Sequence, residues 1–190
     1  MMPRPLAALA GLLFLAAGSV RASEPVPEMP VTIYQGTNEA LAETFPTAGR
    51  FDTEVRILTP AQRGQLEKAL GGPVADDTVT VHRAWRDSSL VGYGIVSEEV
   101  GKYRPFTFLV GTTPALEVAR VTVLVYRESH GADIRRTRFL NQYRGKELDD
   151  PIRQNRDIIN IAGATLSVRA LNFGVRKVLG ILGTFYGAPR

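Results

Sequence analysis

The sequence predicts an α+β fold, a single domain in which a twisted, mostly antiparallel sheet is packed by helices. Three observations carry this expectation. Strand-type segments succeed one another between Thr78 and Tyr126, joined by short connections bearing Asp, Ser, Gly or Pro, which favour hairpins over helical crossovers. A helix with a complete N-terminal signature precedes them, and a long amphipathic helix follows near the C-terminus.

The first residues, Met1-Met2-Pro3-Arg4, lead into an apolar run from Leu6 to Ala17 and then Gly18-Ser19-Val20-Arg21-Ala22. A basic start, an apolar stretch too short to span a bilayer and small residues at Val20 and Ala22 read as a signal peptide over residues 1–22. The mature chain is therefore expected outside the cytoplasm, periplasmic or otherwise extracytoplasmic, and soluble after cleavage; an uncleaved N-terminal anchor is the alternative. No cysteine follows the apolar run to take a lipid. Residues 23–36 open with Pro25, Pro27 and Pro30 and read as a mobile lead-in. The domain is expected over 37–185.

Within it, Asn38 to Phe45 puts Leu41, Ala42 and Phe45 on one side of a short helix stopped by Pro46. Thr53 to Leu58 suits an edge strand. Thr59-Pro60-Ala61-Gln62 then combines a Thr cap, Pro at the first helical position and Gln at the third, a capping box, and Gly71-Gly72-Pro73 ends that helix. Strands are predicted over Thr78–Trp85, Leu90–Val96, Phe106–Val110 and Val118–Tyr126, from their β-branched and apolar content. Gly92 and Gly94 interrupt the second strand, where a bare backbone admits another backbone or a flat ring. A short helix is expected around Phe139–Tyr143. The closing helix, Leu166 to Leu182, repeats Leu171, Val175, Val178 and Leu182 as a core stripe, with Arg169, Arg176 and Lys177 elsewhere around it.

Composition removes several function classes. Cleaving residues 1–22 takes away Arg4 and Arg21 and no acid, so the formal charge falls from +4 to +2 and nucleic acid is not an expected partner. With no cysteine, thiol redox chemistry, thiolate metal sites and iron–sulfur clusters are excluded. His82 and His130 are far apart and predict no metal site. Ser167, His130 and Asp133 make a hydrolase triad only on paper, without the strand–turn–helix signature of a nucleophile elbow. Gly92-Tyr93-Gly94 lacks the glycine-rich turn and helix of a dinucleotide site. The cluster Arg135-Arg136-Thr137-Arg138 reads as a solvated loop or the edge of an anion site.

Gly163-Ala164-Thr165-Leu166-Ser167 has the chemistry of a phosphate-holding turn. Gly163 and Ala164 put little bulk beside the backbone, and the helix that follows exposes unpaired amides and its positive dipole end. The plainer alternative is that Thr165 or Ser167 merely caps the helix.

Three segments taken in order, Tyr126-Arg127-Glu128-Ser129-His130-Gly131, Phe139-Leu140-Asn141-Gln142-Tyr143-Arg144-Gly145-Lys146 and Ile161-Ala162-Gly163-Ala164-Thr165-Leu166-Ser167, resemble the FMN-binding domain family. That family includes FMN-carrying subunits of sodium-pumping NADH:quinone reductase and of Rnf complexes, and single-domain exported flavoproteins. The resemblance runs from Phe106 to Leu182. It implies that the closing helix aims its N-terminus at a flavin phosphate, and that the Thr165 hydroxyl is esterified to FMN by an exported flavin transferase, with tight non-covalent FMN as the alternative. It further implies Ser167 near the phosphate, Leu166 beneath the flavin, and Glu128 and Gly131 in the loop beside the ring; His130, in the same loop, reads either as a ligand contact or as solvated surface. The implied function is electron transfer with a membrane-bound quinone- or haem-linked partner. Two positions depart from the family pattern: Ile159 replaces an acid and Ala162 a Ser or Thr, with Asp157 nearby but out of register. A flavin-free binding or assembly protein on the same fold is the second reading.

Overall fold

Alternation of β-branched residues with polar ones builds one continuous sheet. In the computed structural model, which describes residues 31–187, six strands lie in the order β1-β6-β5-β4-β3-β2, every neighbouring pair antiparallel. They are β1 (Thr32–Ile33), β2 (Arg50–Ile57), β3 (Thr78–Arg86), β4 (Ser89–Val100), β5 (Pro105–Thr112) and β6 (Val118–Tyr126). The helices are α1 (Thr37–Thr44), α2 (Pro60–Leu70), α3 (Thr137–Leu140) and α4 (Thr165–Tyr186). The expected α+β class and antiparallel sheet are both present. The expected signal peptide over residues 1–22 and residues 23–30 lie outside the described residues, and among those described no helix is long and apolar enough to cross a membrane.

The helix signals act as their chemistry dictates. Gln62 N–H donates to Thr59 Oγ1, Thr59 N–H donates to Gln62 Oε1 at 2.9 Å, and Gly71 closes α2 in the left-handed conformation at φ 74°. α1 is rotated relative to expectation: Ala40, Leu41 and Thr44 face the sheet, Phe45 is buried just beyond its end, and Ala42 is exposed. Thr44 fits that buried face because its hydroxyl donates to Ala40 O at 2.7 Å, so the sheet receives its methyl group. β1 is unannounced by the sequence pattern, since two residues are too few to alternate; the register Thr32↔Tyr126 and Ile33↔Val125 sets it at the β6 edge.

The sheet has a large and a small apolar face. α2 and α4 cover the large one, where Phe106, Phe108, Val110, Val121 and Val123 meet Leu171, Val175, Val178 and Leu182. α1 covers the small one, against Ala84, Leu109 and Leu124. The ring admitted by the bare backbone of β4 is that of Phe45: a Cβ on Gly92 would overlap both this ring and the Thr112 carbonyl of β5.

The stripe on α4 is fully buried, as its periodicity predicts, but Lys177 is buried as well, at 4% exposure. β4 and the segment around Asp76 flank the helix at this point. Lys177 Nζ lies 2.7 Å from Glu99 Oε1 and 2.9 Å from Asp76 Oδ2. Burial alone would push its pKa down, but the two carboxylates outweigh that and hold it above the ordinary lysine value. A lysine sharing a helix turn with Val178 carries no sequence mark of this, because its partners come from elsewhere in the chain. Arg176, beside it, donates to the Leu70 and Ala69 carbonyls at the end of α2.

Gly92→Ala is expected to destabilise the domain by about 1–3 kcal/mol through overpacking against an immobile carbonyl. Urea unfolding measures this directly, and an unchanged midpoint would contradict the close approach.

Candidate functional site

β6 ends at Tyr126, whose buried hydroxyl donates to the His130 carbonyl at 2.7 Å and so turns the following loop back on itself. The same Tyr126 oxygen lies 2.8 Å from Ser167 Oγ. Since the tyrosine proton is committed to the carbonyl, Ser167 is the donor in this second bond. Burial raises the Tyr126 pKa, which keeps the phenol protonated for that role. Gly131 then takes φ 91°, and a Cβ there would overlap both Ser167 Oγ and the Tyr126 oxygen. Only glycine meets both demands.

The loop thereby reaches the start of α4. Gly163 is left-handed at φ 80° with open space where a side chain would stand. Ala164 occupies the N-cap position and offers no side-chain cap. Neither Thr165 nor Ser167 caps the helix: Ser167 is turned toward Tyr126, and Thr165 Oγ1 accepts from Asn160 Nδ2 at 3.1 Å. Among the described residues the amides of Thr165, Leu166 and Ser167 have no acceptor. The turn therefore presents unpaired N–H groups and the positive end of a 22-residue helix.

One cleft of about 240 Å³ gathers these pieces, lined by Glu128, His130, Gly131, Gly163, Ala164, Thr165, Leu166 and Ser167, together with Lys102. All eight residues singled out in the sequence share it. Leu166 is 46% exposed at its side, while Ser167 is buried, so an arriving anion would meet the Ser167 amide rather than its hydroxyl proton. The volume is below the roughly 300–1,000 Å³ of pockets that engulf a small molecule. Such a cleft suits one end of a ligand whose remainder stays accessible.

Glu128 has a second task that the sequence does not announce. Its Oε1 accepts from the Tyr103 and Arg104 amides at 2.6 and 2.7 Å, clasping the β4–β5 hairpin tip. That clasp brings Lys102 to the cleft mouth, where its ammonium lies 4.7 Å from the Tyr103 ring centre. A lysine at a hairpin tip looks like ordinary solvated surface, and only the distant Glu128 makes it a wall of this cleft. Asn160 also escapes sequence reasoning. It orients Thr165 through one amide atom, and its Oδ1 is buried without a partner among the described residues.

The positions that depart from the family pattern have clear fates. Ile159 is 76% exposed, tied only through its backbone to Gln142, and Ala162 is exposed. Asp157 does not replace the missing acid. Its carboxylate accepts from the Ile152 and Arg153 amides at 3.1 and 2.8 Å and pairs with Lys146 at 2.9 Å, closing the loop that approaches α4. Partial burial would raise its pKa, but the Arg153 amide and the Lys146 ammonium outweigh this and hold it below the ordinary 3.8. The triad drawn on paper is not assembled: Ser167 faces Tyr126, His130 Nδ1 faces Ser129 Oγ at 2.9 Å, and Asp133 pairs with Arg136 at 2.8 Å. Among the described residues, no group of three or more His, Asp or Glu converges as a metal site.

Compared with known proteins, the chain matches no family model and no curated sequence.

Because the folded Asp157 pKa is depressed, the stability it contributes is complete above 3.8 and is lost as pH falls through the lower folded value. Asp157→Asn is expected to cost about 1–3 kcal/mol at neutral pH. The gap in urea midpoint between wild type and variant closes below pH 3.8; a gap that persists in full there would assign the loss to shape rather than charge.

Proposed function

We propose that this cleft holds the phosphate end of FMN and that the chain is an exported electron-transfer flavoprotein, with Thr165 as the attachment point. The observation that carries this reading is the meeting of the Glu128–Gly131 loop and the Gly163–Ser167 turn in one cleft at the start of α4. The residues present fit the group. Unpaired amides of Thr165, Leu166 and Ser167 and the nearby Lys102 complement a phosphodiester. The open side of Gly163 leaves the approach to the threonine free of side-chain bulk.

Each residue has a defined task. Asn160 holds the Thr165 oxygen by donating to it, which leaves the hydroxyl's own proton available for removal by an external catalyst. Attachment forms a bond from Thr165 Oγ1 to the phosphorus of the FMN moiety as the pyrophosphate bond of FAD breaks, AMP leaves and the hydroxyl proton is lost. Exposed Ile159 and Ala162 lie where a flavin transferase can reach them. Tyr126 and Gly131 fix the loop against α4, and exposed Leu166 offers an apolar surface beside the cleft. FMN, when bound, supplies one- or two-electron redox chemistry, and the protein supplies position and electrostatics. An open cleft suits exchange with a membrane-bound quinone- or haem-linked partner.

Intact mass of the mature protein, exported from a host with and without the transferase, tests the reading. Wild type is expected to gain one FMN less one water only when the transferase is active, and Thr165→Val to gain nothing. Colour retained in the native protein without the mass gain would establish non-covalent FMN. A colourless protein of unmodified mass, with transferase active and flavin supplied, would favour the flavin-free binding protein.

A further inference from the structure

Another cleft lies along the outer edge of β6. This strand has nine residues, yet β1 pairs in register with only its last two. The Tyr34 amide bonds to the Leu124 carbonyl at 2.8 Å before the chain leaves the edge for α1. At the other end Val118 exchanges both its outward backbone bonds with Gly145 and Lys146, each at 2.8 Å. Between these two closures, residues 119–123 bond to β5 on one side and, among the described residues, to no other backbone group on the other. All five line a cleft of about 410 Å³, walled by the end of α1 and by the segment that runs from Arg135 to Arg144.

The charge in this cleft has one sign in excess. Arg120 is neutralised by Glu43 at 2.7 Å. Arg135 lies over the Tyr34 ring with 4.8 Å to its centre, and neither Arg135 nor Arg144 has a carboxylate partner among the described residues. Unpaired backbone groups recessed beside a wall that carries the uncompensated Arg135 and Arg144 select for a strand that carries negative charge.

We propose that this edge accepts an extended acidic peptide segment of a partner protein as an additional strand. The open stretch of five residues spans about 17 Å at strand rise, so five or six residues of the partner fill it. A second copy of this chain meeting edge to edge would bring the uncompensated Arg135 and Arg144 of both copies together, which charge opposes. Arginines that merely guard an edge against aggregation are the competing explanation. They differ in that guarding charges stand on the edge strand itself, whereas Arg135 and Arg144 belong to a separate segment and wall a recess with the strand edge as its floor. This inference does not depend on the flavin reading.

The probe is an end-blocked hexapeptide alternating Glu and Val, added to the mature chain. Binding is expected to slow hydrogen exchange at outward-facing amides within 119–123 and to weaken with added salt. The same peptide N-methylated at alternate amides is expected not to bind. Arg135→Glu combined with Arg144→Glu, both exposed positions whose folding circular dichroism checks, is expected to weaken binding by about tenfold. Absence of binding, equal binding of a Lys/Val peptide, binding of the N-methylated form, or binding without protection of those amides would each overturn the proposal. Protection that grows with protein concentration in the absence of peptide would assign the edge to self-association instead.

Discussion

Where α4 begins is fixed by how thoroughly its remainder is buried. Leu171, Val175, Val178 and Leu182 lock the helix onto the sheet, and the ion pairs of Lys177 with Glu99 and Asp76 join it to β4 and to the segment after α2. Removing Lys177 would leave the Glu99 carboxylate buried without its counter-charge, a loss of about 3–5 kcal/mol for a buried pair. A helix held this firmly along its length has little freedom to slide, so the position of its first turn is set from behind. Tyr126 and Gly131 then dock onto that turn through contacts that tolerate no extra atom.

The sheet and the main helices were legible in the sequence because their signals are local. The Thr59 capping box, the alternation through β3 and the stripe on α4 each depend on neighbours within a few residues. Ala42 falls on the exposed side of α1 because a helix of about two turns with two adjacent apolar residues, Leu41 and Ala42, does not fix its own rotation; the sheet takes Ala40 and Thr44 beside Leu41. The burial of Lys177 is illegible for a different reason. Its burial depends on two carboxylates from other elements, and no pattern along α4 encodes them.

The candidate cleft was legible in its two motif-bearing walls and illegible in the third. Glycines at Gly131 and Gly163 and the hydroxyl of Thr165 stand out in a string of letters, since each answers a local demand for left-handed backbone or for chemistry. Lys102 and Asn160 do not stand out. Their importance arises from Glu128 reaching across to a hairpin tip and from a carboxamide folding back on Thr165, both products of tertiary structure. Glu128 and Asp157 each clasp two backbone amides, and this is how they shape the surroundings of the cleft.

The hydroxyl of Tyr126 touches both the carbonyl four residues ahead and the first turn of α4. This makes the tyrosine a ruler for the loop between them. One residue more or fewer between Tyr126 and Gly131 would carry the glycine out of the only gap that admits it and would set a Cβ against Ser167. The spacing is therefore a property of the site as much as the residues are, and this loop should accept changes of side chain at Ser129 far more readily than any change of length.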